Sequence, residues 1–389
     1  MPLYRASSGL DDILNRPEDA IVDQLLSNPL STIARYLNDF FPVSHPVVYV
    51  DDDDDAVTVV CISDTHNTQP RLPPGDILVH AGDLTASGTE KELQETLDWL
   101  KKQPHRYKVV VAGNHDLCLD EKYRRTHGTG NGFRIDGLSK GDEDLPTTHR
   151  DDDDGGSDGP PPLLDWGDII YLNRTSTTLT LPHRRRNDES KTYSDREVRV
   201  YGSPYTPRHG TWAFQYPRSA SAPRPNDVDD DDDDPWRGAV PAGTDILVTH
   251  APPKGHMDDP RGNWGCEMLL REVWRARPRL HVFGHVHCGH GREAVAFDGL
   301  QAAYENVVLL EALAMAGGGG SDGGFRGVGG AVTAGARAIL ALGWCFWAWV
   351  WLLWWRGGRR GAGRTVFVNA AAVGGIRDRL VREAIVVRI

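Results

Sequence analysis

Residues 57–67 read VTVVCISDTHN, a short apolar run followed by a turn that carries Asp64 and His66. A nearly continuous apolar run of this length is typical of a strand that is buried on both faces. Eight similar runs follow along the chain, at 76–82, 107–113, 168–173, 198–204, 245–250, 280–285, 365–370 and 384–389. The stretches 89–102 and 266–276, which lie between such runs, favour helices. This alternation of strands and helices predicts an α/β fold.

Four more polar motifs stand where a predicted strand ends. They are Gly82-Asp83, Gly113-Asn114-His115-Asp116, His250 and Gly284-His285-Val286-His287. Ligand sites in α/β proteins lie at the carboxyl ends of the strands, so we expect the five motifs to meet in space. Each motif alone is a weak signal, since a D-x-H triplet arises by chance in an Asp-rich chain. All five together, in order and each at a strand end, predict a metal site.

The side chains in these motifs indicate which metals the site would bind. Carboxylates, imidazoles and one amide oxygen form a mixed oxygen and nitrogen donor set, which suits Mn, Fe, Zn or similar divalent ions and does not suit Ca. Two ions about 3.5–4 Å apart can share one carboxylate and one bridging hydroxide. The expected cofactor is therefore a pair of divalent metal ions.

The five motifs resemble the D-x-H, G-D, G-N-H-[DE], H and G-H-x-H pattern of the calcineurin-like metallophosphoesterases. The segments CISDTHN, HAGDLT, THAPPKGHMD, GCEMLL and PRLHVFGHVH are similar to one subgroup, the metallophosphoesterase-domain-containing, class III-type phosphodiesterases. The resemblance covers roughly residues 57–300 and resumes at 365–389. It implies two mixed β-sheets packed as a sandwich and flanked by helices.

The resemblance also implies a role for each motif residue. One metal would be bound by an Asp and two His residues, the other by an Asn and two His residues, and Asp83 would bridge both. The implied ligands are Asp64, His66, Asp83, Asn114, His250, His285 and His287. His115 would protonate the leaving oxygen, and Asp116 would tune His115. The segment 202–207 and Trp212 are candidate pocket residues, although a turn and a packing aromatic explain them equally well.

A metal-dependent phosphoesterase is the function that this resemblance implies, with a bridging hydroxide attacking small phosphodiesters such as cyclic nucleotides. Three alternatives stay open: a phosphomonoesterase, a protein phosphatase of the same superfamily, and a membrane-associated binding protein that kept the fold without catalysis. The formal net charge of −12 disfavours long nucleic acids as substrates, because proteins that bind them usually present a basic surface.

A hydrophobic insertion departs from the family pattern. Residues 338–355 read AILALGWCFWAWVWLLWW, which has no charged residue and reaches the lower limit for crossing a bilayer. The family's closing strands follow it, so both of its ends should lie on the same side of a membrane. Tryptophan prefers the membrane interface, and arginines follow the segment, so an interfacial or re-entrant anchor is expected. A buried or partner-bound helix, a true span and translated non-coding sequence are the alternatives.

The sequence predicts three regions and an intracellular location. A helical extension (1–50) precedes a phosphoesterase domain (56–300 and 365–389), which is interrupted by the insertion at 301–364. The acidic runs at 51–55, 151–159 and 218–234 are expected to be loops. The N-terminus lacks the apolar core of a signal peptide, and the five cysteines include no C-x-x-C pair. A reduced, cytoplasmic setting with possible membrane association is therefore expected.

Overall fold

The fold comes from a computed structural model that describes most of the chain. The described residues are 21–40, 56–127, 164–182, 195–217, 234–258, 264–316, 325–354, 363–374 and 379–389. The acidic runs, which the sequence predicts to be loops, lie outside these ranges, apart from Asp234.

The described ranges contain fifteen strands. In chain order they are β1 (Thr58–Ile62), β2 (Ile77–Ala81), β3 (Tyr107–Val111), β4 (Ile169–Tyr171), β5 (Thr175–Leu181), β6 (Arg196–Ser203), β7 (Thr206–Pro207), β8 (Gln215–Tyr216), β9 (Ile246–Thr249), β10 (Leu280–Phe283), β11 (Gly291–Ala296), β12 (Arg364–Asn369), β13 (Val373–Gly374), β14 (Arg379–Leu380) and β15 (Ile385–Arg388). All nine strands expected from apolar runs are present. The predicted α/β class is confirmed.

Two large mixed sheets organise these strands. The first has the order β15-β1-β2-β3-β4, and the second has the order β11-β12-β10-β9-β6-β5. Within the first sheet β1 to β4 run parallel and β15 is antiparallel to β1. Sequence reading missed six strands. Four of them, β7, β8, β13 and β14, have only two residues each, and the other two, β5 and β11, are edge strands. Their exposed faces interrupt the apolar run with polar residues, as in the TSTTLTL of β5.

The core lies between the two sheets. Val59 and Val79 of the first sheet and Val200, Val248 and Val282 of the second belong to one cluster of fully buried side chains. The apolar residues of the central strands face this cluster on one side and helices on the other. The structure is therefore a sandwich of two mixed sheets flanked by helices, as the resemblance implies.

Seven α-helices accompany the sheets within the described ranges. They are α1 (Ile21–Ser27), α2 (Pro29–Asp39), α3 (Glu90–Lys101), α4 (Glu121–His127), α5 (Glu267–Ala276), α6 (Gly299–Ala316) and α7 (Phe325–Trp354). Helix α3 begins with a capping box in which Thr89 and Glu92 satisfy each other's backbone N–H groups. It covers the outer face of the first sheet through Leu93 and Leu97. Helix α5 covers the second sheet through Leu269.

The insertion forms a helical unit with the N-terminal helices. Helices α6 and α7 lie between β11 and β12 in the chain, and these two strands are antiparallel neighbours in the sheet. The segment therefore leaves and re-enters the same sheet. Ala34 of α2, Val307 of α6 and Cys345 of α7 share a buried cluster. Glu311 of α6 also accepts hydrogen bonds from the backbone N–H groups of residues 30 and 31 at the start of α2.

A helix that spans a membrane was one alternative for the hydrophobic insertion, and it requires a long apolar helix. Within the described ranges, none of the helices is long and apolar enough to cross a bilayer. The domain boundaries drawn from the sequence stay predictions.

A buried ionic cluster attaches the helical unit to the second sheet. The ring of His256 lies between Glu293 of β11 and Glu305 of α6, with Nδ1–Oε1 and Nε2–Oε1 distances of 2.6 and 3.1 Å. Trp274 of α5 donates its ring N–H to Glu305 at 2.5 Å. Burial alone would lower the pKa of His256, but the two carboxylates raise it to about 10. The imidazolium therefore holds two carboxylates, from strand and helix, in place.

This cluster predicts a pH dependence of stability. Because the pKa of His256 is raised by folding, its contribution is fully present below its ordinary pKa of 6.5 and is lost as the pH approaches about 10. Each unit of raised pKa corresponds to about 1.4 kcal/mol. Urea unfolding should show the wild type losing stability relative to His256→Gln between these pH values. A stability difference that is constant from pH 6.5 to about 10 would contradict this account.

Candidate metal centre

The five motifs meet at one edge of the sandwich, where the two sheets approach each other. The backbone N–H of Ser63, at the end of β1, donates to the carbonyl of Ala370, which follows β12. The N–H of Asp64 donates to the carbonyl of Gly82, so the D-x-H and G-D turns are joined directly. The strand ends thus bring residues that are distant in sequence into one polar site.

Two groups of side chains have the spacing of metal ligands. The ligand atoms within each group lie within 4.8 Å of one another. The first group is Asp64, His66 and His287, and the second is Asp83, His250 and His285. In the first, His287 Nε2 lies 3.3 Å from Asp64 Oδ1. Each group combines one carboxylate with two imidazoles.

Asp83 faces both groups. Its Oδ2 atom lies 3.3 Å from His250 Nε2 in its own group and 3.7 Å from His66 Nε2 in the other. Its Oδ1 atom accepts a hydrogen bond of 2.8 Å from the backbone N–H of His115. Asn114, the remaining ligand candidate, has its Oδ1 atom 3.0 Å from His250 Nε2. The structure therefore brings all seven candidate ligands together.

The backbone at the site is held in an uncommon conformation. Asp64, His66, Asp83 and His285 have φ values of 51°, 41°, 52° and 66°, in the left-handed region that side chains other than glycine rarely occupy. Such conformations persist only where the surrounding structure fixes them, and they concentrate at functional sites. Here the strand ends and the hydrogen bonds between the turns fix four candidate ligands in this way.

Two glycines leave the room that the carboxylates occupy. A Cβ atom on Gly284 would lie 2.0 Å from Asp64 Oδ2, and one on Gly113 would lie 2.2 Å from Asp83 Oδ1. Gly284 has a backbone conformation that other residues can also adopt. Glycine is required there because a Cβ atom would lie too close to the Asp64 carboxylate. The glycines of the G-N-H-D and G-H-x-H motifs thus allow each carboxylate to pack directly against a neighbouring strand end.

The charges of the site favour cations. Both carboxylates are buried, and burial alone would raise their pKa values. Neighbouring imidazoles, led by His250, instead hold the pKa of Asp83 well below its usual range, and His287 lowers the pKa of Asp64. Burial lowers the pKa of His285 to about 3, so its imidazole is neutral and able to coordinate. Two ionised carboxylates therefore stand beside imidazole donors.

His115 lies at the edge of the ligand groups. Its ring centroid is 4.7 Å from that of His66, and it stacks on Trp212 at 4.3 Å. His115 Nδ1 is 2.9 Å from the carbonyl oxygen of Ala86. A carbonyl can only accept, so Nδ1 carries the hydrogen and Nε2 is left for other chemistry. Of the candidate pocket residues, Trp212 contacts this group, whereas Gly202 packs against Leu172.

The carboxylate of Asp116 connects two motif turns. It accepts hydrogen bonds from the backbone N–H groups of Gly113, Leu84 and Thr85 and from the Thr85 hydroxyl, at 2.8–3.2 Å. Burial, together with the charge of Asp83, raises the pKa of Asp116 to about 6. These contacts hold the G-D and G-N-H-D turns against each other. The predicted catalytic role of Asp116 stays a prediction.

Asn369, at the end of β12, was not singled out by the motifs. Its side-chain amide donates to the carbonyls of Met257 and Val286, at 3.2 and 2.9 Å. These carbonyls belong to the loops that follow His250 and His285. The segment after the insertion therefore supports the metal site directly. A lone Asn at a strand end carries no recognisable pattern, so sequence reading had no signal for it.

His209 is a second residue that the motifs did not indicate. Its ring centroid lies 5.8 Å from that of His285 and 4.8 Å from that of Trp264. Aromatic rings therefore stand beside both ends of the site, Trp212 next to His115 and Trp264 next to His209.

Comparison with known families agrees with this geometry. Residues 57–289 match the family model of the calcineurin-like phosphoesterases. The chain belongs to this family. The matched range contains all five motifs, and it ends shortly after His287.

Several relatives share this part of the chain. Metallophosphoesterase domain-containing protein 1 of Homo sapiens is 33% identical over 238 residues, which are 60% of this chain and 61% of that protein. A UPF0046 protein of Caenorhabditis elegans is 34% identical over 60% of this chain and 64% of its own length. A protein of Emericella nidulans named probable rhamnogalacturonate lyase C is 37% identical over 98% of this chain. The chain spans only 29% of that protein's length.

The donor set fits a pair of divalent ions. Each group offers carboxylate oxygen and imidazole nitrogen atoms, which are the donors that Mn, Fe and Zn share. Gly113 and Gly284 leave the space in which the carboxylates of Asp83 and Asp64 lie. The first ion would be held by Asp64, His66 and His287, and the second by Asn114, His250 and His285. Asp83 is placed to serve both.

A single methyl group should disturb this centre. In Gly284→Ala the added Cβ atom meets Asp64 Oδ2 and Ser63 Oγ, at 2.0 and 2.1 Å, so the carboxylate must move. We expect this variant to retain less than half of the wild-type metal, as measured by elemental analysis after desalting, and to lose about 1–3 kcal/mol of stability.

Gly299→Ala is the matched control, since a Cβ atom there meets nothing within 4 Å. It should keep the metal content of the wild type. A full metal complement in Gly284→Ala would show that the close approach at this glycine does not matter.

Proposed function

We propose that the protein hydrolyses small phosphodiesters, including cyclic nucleotides, with two divalent ions of which manganese is the first choice. The observation that carries the proposal is the position of Asp83, whose Oδ2 atom lies within 3.3 and 3.7 Å of imidazoles from both ligand groups. A shared carboxylate between two mixed donor groups is typical of dinuclear centres that act on phosphate esters. The family membership supports the same reaction class.

The bound ions would neutralise charge on the phosphoryl oxygens and lower the pKa of a water molecule that attacks phosphorus. The residues of the chain fix where this happens. Two buried, ionised carboxylates and the surrounding imidazoles are held by backbone hydrogen bonds between the turns, so little rearrangement is needed on binding. The substrate phosphate would therefore be held by the ions that the two ligand groups bind, and not by the negatively charged Asp83.

His115 is proposed to protonate the leaving oxygen. Because Nδ1 donates to the Ala86 carbonyl, the ring is oriented and Nε2 is the atom that would hold the transferred proton. Stacking on Trp212 restricts rotation of the ring. Asp116 is proposed to position His115 indirectly, by holding together the two turns that it connects. Its hydrogen bonds to the N–H groups of Gly113 and Thr85 keep His115 beside the centre.

A diester is preferred over a monoester for two reasons. The subgroup resemblance implies small diesters; a relative with 33% identity is named metallophosphoesterase domain-containing protein 1, which supports the subgroup and does not specify the ester. The rings of Trp212 and Trp264 also stand beside the site and offer surfaces on which the organic groups of a diester could stack. A phosphomonoesterase, a protein phosphatase and a non-catalytic binding protein are the competing functions.

A substrate panel tests the proposal. Manganese-loaded protein should hydrolyse bis(p-nitrophenyl) phosphate and cyclic nucleotides with higher kcat/KM than p-nitrophenyl phosphate. Asp83→Asn keeps the shape of the side chain but removes its charge, so it should lower kcat/KM by about three orders of magnitude. Asp98→Asn, at an exposed carboxylate of α3, is the matched control and should leave turnover unchanged.

Three results would contradict the proposal. Preference for the monoester would favour a phosphomonoesterase, and preference for a phosphopeptide would favour a protein phosphatase. No turnover by the metal-loaded protein would favour a binding function.

The proposed role of His115 can be tested with two substrates whose leaving groups differ in their need for a proton. A cyclic nucleotide expels a basic alkoxide, which needs a proton, whereas p-nitrophenolate leaves without one. His115→Gln should therefore reduce turnover of the cyclic nucleotide by about 10²- to 10⁴-fold and that of the aryl diester far less. His127→Gln, on the exposed face of α4, provides the histidine control. An equal loss for both substrates would argue that His115 only supports the fold.

A further inference from the structure

The exposed apolar side chains of this protein are concentrated on one helical unit. Among the described residues, all large exposed apolar side chains except Trp264, Leu380 and Val381 lie on α1, α2, α6 and α7 or, for Phe40, directly after α2. On α7, Leu340, Trp344 and Trp347 are exposed by 68, 74 and 66%. Soluble proteins rarely leave a contiguous apolar surface of this kind uncovered.

The geometry of α7 explains why these side chains are exposed. Residues 340, 344 and 347 have the i, i+4, i+7 spacing that places side chains on the same face of a helix. The opposite face, with Ala338 and Cys345, is buried against α2 and α6. The helix is therefore apolar on both faces, and only one of them is used in packing.

The exposed face continues from α7 onto α2. The ring of Phe40, at the end of α2, contacts Trp349 at a centroid distance of 5.4 Å. Trp349 in turn stacks with Phe346 at 5.9 Å. Ile33 and Tyr36 of α2 are also exposed and stand about two turns and one turn before Phe40. The exposed apolar surface therefore extends over α7 and α2, which pack together.

The charge around this surface differs from that of the whole chain. Although the formal net charge is −12, the stretch 325–364 contains arginine and no aspartate, glutamate or lysine. Its charged residues are Arg326, Arg337, Arg356, Arg359, Arg360 and Arg364. Of these, Arg337 is exposed on α7, and its spacing from Leu340 and Trp344 places it on the same face of the helix. A second copy of this face would therefore bring like charges together, whereas an anionic surface would attract the arginine.

We propose that this face of α7 and α2 binds the surface of a bilayer that contains anionic phospholipids. Tryptophan is enriched where membranes meet water, because its ring is apolar and its N–H remains hydrated. Each arginine close to an anionic bilayer adds attraction that falls off within a Debye length. The helix lies in the plane of the interface instead of crossing it, which agrees with an insertion whose two ends join neighbouring strands.

The binding surface is joined to the phosphoesterase domain by hydrogen bonds and helix packing. Helix α6 is held to the second sheet by the cluster of His256, Glu293 and Glu305, and α7 packs on α6. Adsorption of the face would therefore bring the whole phosphoesterase domain to the bilayer. Adsorption to the bilayer would set the location of the protein, whatever substrate the metal centre acts on.

Flotation with liposomes tests the proposal on the whole metal-loaded chain of 389 residues. The wild type should float with vesicles of phosphatidylcholine and phosphatidylserine, and much less with vesicles of phosphatidylcholine alone. Added salt should weaken the binding. The double variant Trp344→Gln/Trp347→Gln should reduce the partition coefficient by about tenfold or more. Turnover should be unchanged, because these tryptophans are outside the metal centre.

Leu380→Gln/Val381→Gln is the matched control, since it removes two exposed apolar side chains outside the helical unit. It should float like the wild type, and the circular dichroism of both double variants should match that of the wild type. Equal flotation of the tryptophan variant and the wild type would overturn the proposal. Equal binding to neutral vesicles would also overturn it. A lipid-free dimer that the tryptophan substitutions dissociate would assign the face to a second copy.

Discussion

The structure depends on two buried carboxylates, Asp64 and Asp83, placed together at the edge where the two sheets meet. Two negative charges in a buried site repel each other and lose their hydration, so they require compensating charge. The imidazoles of His250 and His287 lie 3.3 Å from Asp83 and Asp64 and lower the pKa values of these two carboxylates. The remaining donors face the same space, which is the arrangement that divalent cations complete.

This concentration of charge explains features elsewhere in the fold. The left-handed backbone at Asp64 and Asp83 turns each carboxylate inward directly after a strand. Gly113 and Gly284 leave the space into which these carboxylates fit. Parallel central strands bring five turns to one edge, and Asn369 holds the last two turns together from a strand that follows a long insertion. The sheet topology, the turn conformations and the glycines therefore all contribute to placing the candidate ligands at one site.

Much of this arrangement could be predicted from the sequence because the signals are local. Several predicted strands are nearly continuous apolar runs, and the candidate ligands stand at the ends of five of the predicted strands. The edge strand β5 was missed because its exposed positions interrupt the run. Asn369 and His209 were missed because their roles arise from contacts with residues more than 70 positions away. Sequence also left open how the hydrophobic insertion is used, since burial of one face of α7 depends on packing with α2 and α6.

The central claim is that two metal ions are bound on either side of Asp83. Anomalous diffraction from crystals of the manganese-loaded protein tests it directly. The account predicts two peaks about 3.5–4 Å apart, one beside Asp64, His66 and His287 and the other beside Asn114, His250 and His285, with the Asp83 carboxylate between them. A single peak, or two peaks that do not share Asp83, would contradict it.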